Sequence, residues 1–446
     1  MTRSLETVTQ ELDTTWVIVT GVLVMFMQAG FACLEIGFSR GKNVGSVVAK
    51  VLLNFSAATI VWWICGFALA FGGGSPIAGD SGFLLNIGHH ISAGSPVAGS
   101  LTGDGAGFAF FQLVFCAVSL AIVWGTTLER TRFVAYPIYA SVFAGVIYPL
   151  IAHWIFGGGL MGRVGAGMQD FAGSTVVHLT GATGGLAALL LLGPRQGKYA
   201  ADGRPRAIPG HSMPLFGLGV LILWLGWFGF NPGSTLGTSG SRFAEVVFVT
   251  NLAAAAGAIG AAATIGLMTK RVDVGMVGNG VIAALVAITA PSGFVEFWAA
   301  PIIGGVAGVI VVISVLAIDR VLDDPVGALS AHGVAGIWGT LACGLFSSPR
   351  LIDAAGLPGK PGLVYSGSFE QLGVQALGIV VTFTVVFTLS YATFAAIKAV
   401  FGLRVTDEEE AYGLDIVEHG MYGYPEQFIS SDELEMSFEL DAAEPR

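Results

Sequence analysis

Two histidines lie deep in apolar sequence, each eight residues after an aspartate. Asp170, Gly173 and His178 form the pattern D-x2-G-x4-H, and Asp324, Gly327 and His332 form it again. Imidazole exchanges a proton near neutral pH, and its neutral ring offers one donor and one acceptor nitrogen. Two such rings side by side can relay a proton, or hold a small polar molecule in a passage that water does not fill. Ionisable groups within apolar spans are costly and are functional candidates by default. The aspartates read differently. Asp324 precedes Pro325, the arrangement of an N-cap followed by proline in the first helical turn. Both aspartates are expected to cap and brace.

The elements that must position these residues are membrane helices. Of the 446 residues, 54% are hydrophobic and 11% charged, against about 25% charged in a soluble domain. Many runs reach the roughly 20 apolar residues that cross about 30 Å of hydrocarbon. Eleven spans are expected, near 15–38, 44–71, 106–126, 133–156, 170–193, 214–231, 243–268, 274–295, 296–318, 325–346 and 371–402. Lipid satisfies no backbone hydrogen bonds, so the spans must be helices. The expected fold is an all-α integral membrane protein. Residues 1–402 form an eleven-span membrane domain and 403–446 an acidic tail. The first span has no basic leader or small-residue cleavage site and is expected to be retained.

Lys and Arg set the orientation. With eleven spans, one side holds 13 of them, including Arg40, Lys42, Arg130, Arg195 and Arg404, while the other holds 5: Arg3, Arg163, Arg242, Arg350 and Lys360. The N-terminus is therefore expected outside and the C-terminus in the cytoplasm. Residues 407–446 hold 13 acidic groups and one Arg, so the formal charge of −10 belongs to the tail. No basic patch points to nucleic acid. The four cysteines lie in apolar runs without metal-ligand spacing and are expected to be small core residues.

The two D-x2-G-x4-H patterns open the fifth and tenth spans, which run in opposite directions. That is the pattern of a 5+5 inverted repeat with one helix left over, its halves near 15–193 and 214–346. Eight helical residues rise about 12 Å, so each histidine lies about 12 Å in from its own membrane face. A core of about 30 Å leaves roughly 6 Å between them, and the rings are expected to meet near the midplane. Eight residues also turn about 80° past two full turns, which argues against an Asp–His bond within one helix. Glu35 and Lys50 flank the "SRGKN" turn and are expected to snorkel or to pair across it. His153 is expected at an outer helix end. His89, His90, His211 and His419 read as incidental. "AAAAGAIGAAATIG" (253–266) predicts close helix packing.

Two aromatic stretches stand out: "FAFFQLVF" (108–115) in the third span, and "GWFGFNPGS" (226–234) closing the sixth. Together with "QAGFACLEIGFSRGKNV", "AHWIFGGG", "DFAGSTVVHLTGATGGL" and "SAHGVAGIWG", in this order, they identify a chain that resembles the ammonium transporter (Amt/MEP/Rh) family from residue 15 to about 425. The resemblance implies eleven helices with pseudo-twofold symmetry, usually as a homotrimer with one pore per subunit. By this resemblance His178 and His332 match the paired pore histidines. Phe115 and Phe230 match the stacked rings that gate the pore from outside. Ser234 matches the serine of the external ammonium site, to which Phe115 and Phe156 also belong. Asp170 and Asp324 match structural aspartates. The family commonly has Trp where this chain has Phe156, a weaker cation–π face; Trp154 is the other aromatic that could contribute. "GLD" and "HG" in the tail resemble the segment against which a PII-type signalling protein docks in prokaryotic relatives. The closing residues "SSDELEMSFELDAAEPR" are expected to be disordered.

The chemistry follows from charge. Burying a bare cation costs tens of kcal/mol by Born estimates, whereas ammonia is neutral and small. The expected activity is ammonium uptake: the cation is recruited at the aromatic and serine site, deprotonated, and conducted as ammonia past the histidines. A separate proton relay through the same pair would make transport electrogenic. Methylammonium is the expected analogue. No cofactor or enzymatic activity is expected: there is no H-E-x-x-H and no third ligand for a metal held by the two histidines. The alternatives are an ammonium sensor on the same fold and an Rh-like gas channel. The 446 residues carry no recognisable output domain, and "FNPGS" with "GLD…HG" favours the Amt branch.

Overall fold

The computed structural model describes residues 4–86 and 105–428. Among these, eleven long helices follow one another: α1 (Leu5–Phe38), α2 (Gly41–Phe71), α3 (Gly105–Gly125), α4 (Ala135–Ile155), α5 (Ser174–Leu192), α6 (Met213–Phe230), α7 (Arg242–Thr269), α8 (Val274–Thr289), α9 (Ala299–Ile318), α10 (Leu329–Phe346) and α11 (Glu370–Val400). Short helices at Pro349–Ala355 and Leu363–Ser366 link α10 to α11, and Asp407–Tyr412 and Leu414–His419 follow α11. No strand occurs among the described residues; they hold only isolated bridges such as Thr131 with Arg404. The all-helical architecture is the one the composition dictates.

The expected span boundaries need two corrections. The eighth helix stops at Thr289, so its 16 residues reach only about 24 Å, and residues 290–298 turn before α9 begins at Ala299. The first helix starts ten residues early, at Leu5, where Ser4 caps it by accepting the Thr7 N–H at 3.1 Å. Polar N-termini do the same elsewhere: Asp273 caps α8 through the Met276 N–H at 2.9 Å. His89, His90 and residues 429–446 lie outside the described residues.

Small residues let the helices approach. On α6, a Cβ at Gly219 would meet the Leu34 nitrogen at 2.5 Å, so α1 and α6, equivalent members of the two halves, lie backbone to backbone. In the 253–266 run, a Cβ at Gly257 would meet the Gly280 carbonyl of α8 at 2.5 Å and the Gly304 carbonyl of α9 at 3.2 Å. Without a hydrophobic drive between helices in lipid, such contact is the main source of association.

We name the arginine-rich face inner and the opposite face outer. On the inner face Arg195 bridges Glu129 at 3.0 Å and Asp323 at 2.9 Å, and Arg40 joins Glu129 at 2.9 Å. The segment after α11 folds back onto this face. Asp415 accepts the Gly45 and Ser46 N–H groups at 3.0 and 2.8 Å, the Leu414 N–H bonds Asn43 Oδ1 at 2.9 Å, and Glu410 pairs with Arg404 at 2.7 Å. His211 and His419, expected to be incidental, take part. His211 Nε2 meets the Tyr424 hydroxyl at 3.0 Å, and the His419 and Phe133 rings lie nearly perpendicular, their centroids 4.7 Å apart.

Burial alone would raise the Asp323 carboxyl, but hydrogen bonds from Arg195 and the nearby Arg130 charge hold it down to about 2. Glu129 is also buried, and Arg195 and Arg40 hold its carboxyl below the usual range. A depressed carboxyl contributes stability in full above its unfolded value, about 3.9 for Asp, and loses it as pH falls through the folded value. Melting temperature in detergent is therefore expected to hold down to about pH 5 and to drop between about pH 4 and 2. Arg195→Ala, which strands two buried carboxylates, is expected to cost about 3–5 kcal/mol and to lower the neutral-pH melting temperature.

Candidate functional site

Asp170 and Asp324 each sit just ahead of a helix and turn their carboxylates back onto its first N–H groups. Asp170 Oδ1 accepts from Gly173 and Ser174 at 2.7 and 3.0 Å, and Oδ2 from Thr175 and Val176 at 2.9 and 3.0 Å. Asp324 Oδ2 accepts the Leu329 N–H at 2.7 Å, while its Oδ1 is buried without a protein partner. The glycine of each motif makes the reversal possible. Gly173 has φ +120° and Gly327 φ +74°, a region that side chains rarely adopt, and a Cβ at Gly173 would press to 2.6 Å from Val177.

Beyond each glycine the helix begins with a wide π turn, Ser174–Leu179 in α5 and Leu329–Val334 in α10, and each turn holds its histidine. Such turns leave backbone groups out of the usual ladder and often mark functional sites. Here hydroxyls add to the backbone bonds: Ser119 donates to the Val177 carbonyl at 2.7 Å and Thr180 to the Thr175 carbonyl at 3.1 Å, two carbonyls that also accept the Thr180 N–H. A 2.5 Å bond between the Thr175 and Thr340 hydroxyls then ties α5 to α10.

The two turns bring the histidines together. His178 Nδ1 and His332 Nδ1 lie 3.2 Å apart, the rings 18° from parallel, both buried. A bond between two Nδ1 atoms requires one to donate and the other to accept, so the neutral rings are opposite tautomers. One Nε2 then carries a hydrogen and the other is bare. Trp227 of α6 stacks on His178 at 5.3 Å, 17° from parallel.

On the outer side of the pair, Phe115 and Phe230 stack 4.0 Å apart and 15° from parallel, and Phe230 lies 5.5 Å from the His178 ring. Both phenylalanines are buried. Above them opens a vestibule of about 830 Å³ whose lining includes Phe111, Gln112, Phe115, Phe156, Asp170 and Ser234. The Ser234 hydroxyl donates to the Phe230 carbonyl at 2.8 Å, so its lone pairs are what remain for a guest. That suits a donor cation. Trp154 does not belong here: its indole nitrogen donates to the Ile77 carbonyl at 2.8 Å. His153 stands in the last turn of α4, the helix end expected for it. It is buried, its two ring nitrogens each 2.9 Å from a carbonyl, of Ala70 and Ser75.

Of the site residues expected from the sequence, Phe115, Phe156, Asp170 and Ser234 line the vestibule, Phe115 and Phe230 stack, and His178 and His332 pair, while Asp324 lies apart from them, ahead of α10. Sequence reasoning missed Gln112, whose Oε1 is buried beside the vestibule without a protein partner, and Trp227. The hint for Gln112 was its place one helical turn before Phe115.

Comparison with known proteins points the same way. An ammonium transporter Amt2 of Archaeoglobus fulgidus is 43% identical over 438 residues, 96% of this chain and 91% of its own. A solved structure described as a sensor Amt protein superposes with TM-score 0.84 at 35% identity, covering 93% of this chain and all of that one. Saccharomyces cerevisiae Mep2 gives TM-score 0.82 at 28% identity, over 94% of this chain and 92% of its own. The model of the Ammonium Transporter Family matches residues 15–424. This multi-span membrane protein, a transporter and not an enzyme, belongs to the Ammonium Transporter Family.

Proposed function

We propose that the chain takes ammonium from the outer vestibule, strips its proton at the phenyl stack, and passes ammonia along His178 and His332, while the same pair relays the proton separately. The observation that carries this reading is the hydrogen-bonded Nδ1 pair, 3.2 Å apart, sealed from the vestibule by stacked Phe115 and Phe230. A cation has no water there to replace its hydration shell, and a bare one would cost tens of kcal/mol. Ammonia needs only a donor and an acceptor, which opposite tautomers supply. When a proton arrives at the bare Nε2 and leaves from the far ring's Nε2–H, both tautomers invert, and the pair must reset before the next transfer.

In the vestibule, Ser234 accepts from the cation, and the Phe115 and Phe156 faces attract it. Asp170 and Asp324 brace the two π turns. Phe156→Trp is expected to tighten recruitment by about 0.5–1 kcal/mol, a two- to fivefold lower half-saturating methylammonium concentration, with little change in maximal rate. Uptake titrations check this.

Residues 1–402 are proposed as the transport domain and 403–446 as a cytoplasmic tail, with the N-terminus outside a plasma membrane. The Lys and Arg asymmetry supports the orientation. Family membership supports a homotrimer and a PII-type partner at the inner face. Proteoliposomes in which charge movement and methylammonium uptake are recorded together test the transport mechanism. Uptake without charge leaves neutral ammonia conduction. Binding with neither favours a sensor on the same fold.

A further inference from the structure

On the inner side of the histidine pair lies a second cavity, of about 20 Å³, lined by His332, Glu35, Asn279, Phe31, Gly125 and Val326 among others. That holds about one water-sized molecule, since about 10–15 Å³ is the minimum. Glu35, on α1, is 2% exposed, and its Oε2 lies 2.6 Å from Nζ of Lys50, on α2 and 1% exposed. Lys50 also donates to the Trp124 carbonyl at 3.2 Å. The two side chains do not snorkel; they pair, the other outcome the sequence allowed, and do so buried. A buried ion pair is a poor device for stability: each ion costs several kcal/mol to dehydrate, and an apolar pair of similar volume often does as well. What this pair adds, and an apolar one would not, is a proton acceptor beside a fixed positive charge, on the same cavity as His332. Gly125 keeps that cavity open. A Cβ there would lie 3.1 Å from Val326 Cγ2 and 3.4 Å from Glu35 Oε1.

We propose that Glu35 is the proton acceptor that continues the relay from His332 to the inner face, with Lys50 as its positioning residue. The inference rests on the relay reading above. The single water that the cavity accommodates takes the proton from a ring nitrogen of the charged His pair and gives one of its own to the Glu35 carboxylate. One N–H bond breaks, one carboxyl O–H bond forms, and the ring returns to neutral. Lys50 is then left as an ammonium beside a neutral acid, which favours onward loss of that proton toward the inner face and restores the ion pair.

The test uses the full chain in proteoliposomes. Ammonium pulses are read as current and, in parallel, as internal alkalinisation by entering ammonia. Glu35→Gln is expected to cut the current by about a hundredfold while internal alkalinisation grows, because ammonia then enters without its proton. Glu35→Asp is expected to restore part of the current. Because Gln at 35 strands the Lys50 ammonium, the pair variant Glu35→Gln/Lys50→Gln is measured beside it, as is Gly125→Ala, which narrows the cavity, its methyl at contact distance from Glu35, and leaves both charges of the pair in place; both are expected to lose current selectively. Undiminished current in the folded pair variant overturns the inference. So does loss of current with no alkalinisation in its place, which marks the pair as structural only. Absence of current from the unsubstituted protein overturns the relay reading itself, a result distinct from either.

Discussion

Replacing His178 and His332 together by alanine is expected to abolish the ammonium-evoked current of reconstituted protein. A positioned proton-transfer group contributes about 10²–10⁴-fold, and this variant removes both members of the relay. The variant also opens space where two stacked rings lay 5.3 Å apart, so the dry section gains room for water and loses its ordered donor and acceptor. Stability is expected to fall as well, by about 2–5 kcal/mol per emptied ring site. Current and melting temperature therefore need to be measured on the same preparation. The single variants sharpen the test. His178→Ala leaves His332 Nδ1 without its partner, and His332→Ala leaves His178 Nδ1 without its own, so each alone is expected to stop the tautomer exchange. Current that survives in a folded double variant would mean the proton travels by another route, and the histidines would be left with ammonia conduction alone.

That the two rings meet was legible in the sequence, but the reason was only half so. The repeated D-x2-G-x4-H spacing and the opposite directions of the fifth and tenth spans place both histidines near the midplane. The arithmetic assumed α-helix from the aspartate onward. In fact a reversed turn at a left-handed glycine and then a π turn separate each Asp from its His. Periodicity cannot show this, because the π turn is supported by contacts from distant helices, such as the Ser119 hydroxyl on the Val177 carbonyl. The glycine was visible as a repeated letter, and its role as the hinge of a cap was not. Glu35 and Lys50 stood in plain view, yet their burial depends on α3 closing over them with Trp124 and Gly125, a tertiary fact. The short α8 was missed because the apolar run carries straight on past Thr289, while the chain turns to let the Phe171 N–H bond the Ala290 carbonyl at 2.9 Å.

Asp170→Ala is expected to be the most destabilising single change in the pore half of α5. Four N–H groups within 2.7–3.0 Å would lose their acceptor. A hydrogen bond to a charged group contributes about 1.5–3 kcal/mol, and although four on one carboxylate do not simply add, a cost beyond about 4 kcal/mol is expected, in the exceptional range for a point substitution. Asp170→Asn does not rescue it. The amide has one oxygen to offer and would turn its NH2 toward donors. Asp324→Ala is expected to cost clearly less, because only one carboxylate oxygen bonds the Leu329 N–H and the other has no protein partner to lose. Thermal melts of the three variants in one detergent give the order. The same melts separate bracing from proton carriage. A brace predicts that uptake and melting temperature fall together in the Asp170 variants, because its carboxylate holds four of the N–H groups that open the π turn aiming His178. A proton carrier predicts loss of current at an unchanged melting temperature. The four donors converging on the carboxylate, and the absence of any Asp170–His178 bond among the described residues, are what the first of these requires.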